Sequence, residues 1–156
     1  MFRFLYAKHS IIVFFAFWVY VAWFTGCSGV PSEYQEFFAL PLDRHDEAIH
    51  RYPLEKQVEI YLIAMTVIRP PEIGLVYDVA RNGKTIVPLL IKRLATVETR
   101  DEMSALLYVL LEIDLRVYPW RKDPESIALL KQVLPSIANV SWRQRVERLH
   151  EETLRA

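Results

Sequence analysis

Few side chains in this chain stand at spacings that chemistry can use. Two histidines four apart on a helix can grip one metal ion, but His45 and His50 are five apart. That separation places them about 140° apart around a helix, so they do not share a face. The pair is expected to sit in a solvated polar segment, with no metal held. Gly83-Lys84-Thr85 has the ending of a phosphate-cradling loop, which needs another glycine at position 78, where Asp78 stands. The expected role is therefore the close of one helix and the start of the next. No serine lies in a Gly-x-Ser-x-Gly elbow. Glu112 and Asp114, two residues apart on a helix, point in different directions and form no acid/base pair by themselves. An enzyme reading would have to gather His45, His50, Glu112 and Asp114 from dispersed positions. No catalytic motif, metal or cofactor is expected.

Two other features could recognise a partner. Tyr118-Pro119-Trp120-Arg121-Lys122 sets two aromatic rings beside two cations on an irregular segment, a combination that anchors protein partners. The alternative is that Trp120 folds over the helix ends as core edge, since an indole body readily covers such places. In the last helix Trp142, Val146, Leu149 and Thr153 form a narrow apolar stripe among charged faces. Such a stripe is the underside of a solvated surface helix or a seam for a partner. Tyr118, Trp120, Arg121 and Trp142 are the candidate partner-binding residues.

Cys27, the single cysteine among 156 residues, excludes an internal disulfide and a cysteine-based zinc site. It follows an unusual segment. Arg3 and Lys8 form a short basic region, and Ile11–Phe24 is a run of 14 uncharged, mostly apolar residues. Small residues follow, Gly26, Cys27, Ser28 and Gly29, which together describe a secretory signal peptide. Thr25-Gly26-Cys27 resembles the lipobox of bacterial lipoproteins, with Phe24 where leucine is usual. The resemblance covers residues 1–29 and implies cleavage after Gly26, a diacylglyceryl group on the Cys27 thiol, and residues 1–26 as the signal. Several acyl chains hold a protein firmly where one does not. For enterobacterial lipoproteins, Ser28 in place of Asp after the cysteine implies the outer membrane.

The alternative is an uncleaved anchor, because 23 residues from Ser10 to Ser32 carry no charge. Its last third is loop chemistry, however, and the apolar part spans only ~21 Å of a ~30 Å hydrocarbon core. Either way the basic residues precede the apolar run, so the domain is expected on the periplasmic or exterior side of a bacterial envelope membrane.

Beyond residue 26 the chain keeps 17 basic and 19 acidic side chains, a near balance that gives no reason to expect nucleic-acid binding. Residues 27–32 read as a linker and 33–156 as a single helical domain. Ser32-x-x-Gln35 has capping-box spacing and predicts a helix to about Ala39. Pro41–Tyr52 reads as irregular. Pro53 precedes an apolar-periodic helix over Leu54–Ile68, and Pro70-Pro71 opens another to about Arg81, closed by Asn82-Gly83. A helix from near Thr85 with Pro88 in its first turn follows. Thr99-x-x-Glu102 starts the most hydrophobic helix, to Val117, expected at the centre of the fold. Asp123-Pro124 starts one to about Ala138, bent at Pro135, and Ser141 caps the last. No segment alternates with period two, so the fold class is all-α.

Residues 90–97 (LIKRLATV) lie over 133–140 (VLPSIANV) at an offset of 43, with coinciding apolar positions. Over about residues 70–140 this resembles a degenerate HEAT-like stack, and a small helical bundle fits the same pattern. The functional expectation is a membrane-tethered accessory or assembly factor that acts through protein contacts.

Overall fold

The helix that follows Thr99 is the longest among the described residues, though the helix over Leu54–Thr66 is the more hydrophobic of the two. Thr99 takes an extended backbone and its side chain accepts from the Glu102 amide at 3.2 Å, while the Glu102 carboxylate returns to the Thr99 amide. With its first turn fixed in this way, the helix runs from Arg100 to Arg116. Met103, Leu106, Val109, Leu110 and Ile113 recur along it at three- and four-residue steps, and all are buried.

The computed structural model describes residues 29–151 of the chain, with side chains to Arg148. Gly26 and Cys27, and with them the lipobox and anchor expectations, lie outside these residues. From Ser32 onward the described residues belong to one compact unit. Its α-helices in chain order are α1 (Gln35–Phe38), α2 (His45–Ile49), α3 (Leu54–Thr66), α4 (Leu75–Ala80), α5 (Val87–Arg93), α6 (Arg100–Arg116), α7 (Pro124–Val133) and α8 (Val140–Glu151). Among the described residues there is no strand, and the fold is all-α. No helix among them is long and apolar enough to cross a membrane.

Helix α6 is the hub: α3 and α4 pack on it and on each other, α5 also touches it, and α7 packs on α5. Tyr61 of α3 fastens that packing with a 2.8 Å bond from its hydroxyl to the Ala105 carbonyl of α6. Burial then raises the Tyr61 pKa above the ordinary phenol range.

Several boundaries differ from the sequence expectation, each for a local reason. Ser32–Tyr34 winds into a 3₁₀ turn that runs straight into α1, so no extended residue precedes the helix and the expected Ser32 cap does not form. The stretch Pro41–Tyr52 is not irregular: a 3₁₀ turn at Leu42–Arg44 leads into α2. The helix after Pro70-Pro71 starts only at Leu75. Pro135 does not bend α7 but ends it, because a ring without an N–H interrupts the ladder and a 3₁₀ turn takes over at Leu134–Ser136. The cap of α8 is Asn139, whose side-chain oxygen accepts from the Ser141 and Trp142 amides at 3.0 and 3.2 Å.

After α4, Gly83 has φ +53°, which glycine adopts without strain. A Cβ there would also lie 3.3 Å from the Val117 side chain.

Candidate functional site

His45 is buried, not solvated. In α2 the positions 45, 48 and 49 share one face, so His45, Ala48 and Ile49 turn inward while Asp46, Glu47 and His50 face water. The imidazole stacks on Phe37 with ring centres 4.5 Å apart. Its Nδ1 meets both carboxylate oxygens of Glu72 at 2.8 and 2.9 Å, and Nε2 lies 3.2 Å from the Leu40 carbonyl. Both ring nitrogens therefore face oxygen acceptors. His50 takes no part, and among the described residues no group of three or more His, Cys, Asp or Glu side chains could hold a metal ion.

The two carboxylates near the end of α6 are each engaged, in different directions. Glu112 accepts from Arg116 Nε at 2.6 Å, one helical turn on. Asp114 takes the Arg121 guanidinium at 2.8 and 2.6 Å and the Arg121 amide at 3.1 Å. The structure thus brings none of His45, His50, Glu112 and Asp114 together.

Two of the candidate anchors in the 118–122 loop serve the fold. Pro119 and the 3₁₀ turn at Trp120–Lys122 fold the chain back against α6. The Trp120 indole is 0% exposed and donates to the Leu110 carbonyl at 2.7 Å. Arg121 is held by Asp114. Trp120 thus closes a core edge with no face exposed, the alternative that the sequence offered for it. Tyr118 is half-buried. Lys84 lies 5.9 Å from the centre of its ring and within 3.8 and 3.4 Å of Asp123 and Glu125. Desolvation, then the Asp123 charge, raises the Tyr118 pKa, and Asp123 foremost among its neighbours raises that of Lys84.

Trp142 is half-buried and stands in a groove of about 330 Å³ with Arg100, Met103, Ser104, Ser141 and Arg145. A second groove of about 440 Å³ shares Ser104 and runs along α6 past Asp101 and Tyr108 to Arg69 and Pro71. A third, of about 270 Å³, lies between α3 and α5 and mixes Glu55 and Glu59 with Lys92 and Arg93.

Sequence reasoning missed one surface. Ile73 just before α4, Tyr77 within it, Leu115 in the last turn of α6 and Val117 just after it are all exposed. Arg116 lies 5.8 Å from the centre of the Tyr77 ring. A hydrogen bond with Tyr77, more than burial, raises the Tyr108 pKa. Tyr108, Glu112 and Arg116 recur every four residues, and that stripe was the available signal.

Compared with protein-family models, curated proteins and solved structures, the chain finds no match.

Proposed function

We propose that this is a bacterial lipoprotein, tethered to an envelope membrane through Cys27, whose helical domain works by contact with another protein as an accessory or assembly factor. The observation that carries the tether is the order of its first residues: a basic start, the apolar run Ile11–Phe24, and Thr25-Gly26-Cys27. Ser28 after the cysteine favours the outer membrane, on the enterobacterial pattern. The contact half of the reading draws support from the exposed Ile73, Tyr77, Leu115 and Val117, apolar side chains of the kind that protein partners cover. An envelope enzyme gains no support, since His45, Glu112 and Asp114 are each spent on pairing within the fold.

Mass spectrometry of protein extracted from membranes tests the tether. The expected species begins at Cys27 and carries acyl chains. An intact chain beginning at Met1 would overturn the lipoprotein reading in favour of the uncleaved anchor. For the contact half, crosslinking in cells should give a defined adduct that Tyr77→Glu and Leu115→Glu abolish while the domain stays folded. An adduct unchanged in both variants would move the contact to another surface.

A further inference from the structure

We infer that the groove between α6 and α8 binds a phosphate-bearing ligand. Its walls are built by helical spacing: residues 100, 103 and 104 share a face of α6, and residues 141, 142 and 145 share a face of α8. Those faces bring two arginines, Arg100 and Arg145, to the lining of one concavity of about 330 Å³, within the range of small-ligand clefts. No carboxylate lines it. Asp101 belongs to the neighbouring groove, and Glu102 is turned to its cap and to Arg93 at 4.0 Å. Among the described residues neither Arg100 nor Arg145 has a hydrogen-bond or ion-pair partner, whereas Arg81, Arg93, Arg116, Arg121 and Arg143 each have one.

An anion seated in this concavity would meet two cationic side chains and no carboxylate. The first-turn amides contribute little, because Thr99 and Asn139 already occupy caps at the starts of both helices. The groove's preference for anions therefore comes from the two guanidinium groups. One guanidinium fork satisfies both oxygens of a carboxylate. Two such forks in a groove that Ser104 also lines suit a group with three or more acceptor oxygens, such as a phosphate. Trp142 and Met103 supply apolar wall for whatever carries it. The Ser141 hydroxyl is engaged with Asn139 at 2.7 Å and is not needed.

A soluble phosphomonoester and a phospholipid headgroup present the same chemistry, and the site does not depend on the tether. The test is isothermal titration of the full chain in neutral detergent with glycerol 3-phosphate, beside lipid nanodiscs with and without phosphatidic acid. Saturable heat with glycerol 3-phosphate identifies a soluble ligand, and saturation only with phosphatidic acid identifies a headgroup. In either case Arg100→Gln and Arg145→Gln should each weaken binding about tenfold or more. Arg145→Lys, which keeps the charge and loses the fork, should fall between. Both side chains are exposed, so the variants should unfold at the wild-type denaturant midpoint. No saturable heat with any probe, heat that sodium chloride reproduces at equal ionic strength, or equal affinity in the double Arg→Gln variant would overturn the site.

Discussion

Asp123 shows how one side chain can make three contacts with two neighbours. Its Oδ2 accepts from the Ser126 amide at 3.0 Å and the Ser126 hydroxyl at 2.7 Å, capping α7, while Lys84 stands 3.8 Å from the other oxygen. All of these favour the ionised form, and the Ser126 hydroxyl bond is the largest cause holding the Asp123 pKa below the usual carboxylate range. A folded pKa below the unfolded one means that the charged cap stabilises above the unfolded value, about 3.9, and that this contribution is lost as pH falls through the folded pKa. Asp123→Ala should therefore lower the urea midpoint most near neutral pH, with the gap to wild type closing below about pH 4. A gap of constant size across that range would show that the charge is not what caps α7. The Asp-Pro pair was legible as a cap because it is local. Lys84 was not, because it arrives from 39 positions earlier in the chain.

At the scale of elements, what the sequence hides is mostly what distant segments do to one another. The Thr99–Glu102 box reads directly because its partners are three residues apart. Ser32–Gln35 and Ser141–Gln144 have the same spacing and form no such cap, since a 3₁₀ turn and Asn139 respectively take over those helix starts. His45 is the larger case. The segment around it is rich in charge, yet α2 turns one face inward and Glu72, 27 residues on, meets the imidazole in the connection between α3 and α4. That contact fixes α2 against the start of α4, on which it packs. Glu72→Ala would leave His45 buried without its main acceptor, at a cost of about 1–3 kcal/mol. Glu72→Gln keeps one acceptor oxygen and should lose less. Urea unfolding of both variants decides the matter, and equal stability of Glu72→Ala and wild type would show that the pair does not fasten α2.

On the scale of the whole molecule, the all-α class was legible because hydrophobic period and caps are local signals that sum over the chain. The candidate site was only partly so. Trp120 and Trp142 look alike in sequence, each an aromatic beside arginines. The fold buries the first against the Leu110 carbonyl and leaves the second in a groove wall. Arg100 and Arg145, 45 residues apart, could be joined only by the packed structure. The core from Tyr34 to Val146 has its polar ties inside the same unit, from Tyr61 to Ala105 and from Trp120 to Leu110. A segment of this size buries roughly two-thirds of its unfolded surface, which is enough for independent folding. A fragment of residues 32–156 should therefore fold without the preceding residues. It should give a helical far-ultraviolet spectrum and one cooperative urea transition that tryptophan fluorescence and circular dichroism report at the same midpoint. Trp120 in the core beside α6 and Trp142 in the groove between α6 and α8 both report by fluorescence, so a fluorescence transition well below the dichroism one would mean that the packing around α6 does not melt with the other helices. Coincident transitions would assign the stability of the domain to its helical packing and show that it does not require the first 31 residues.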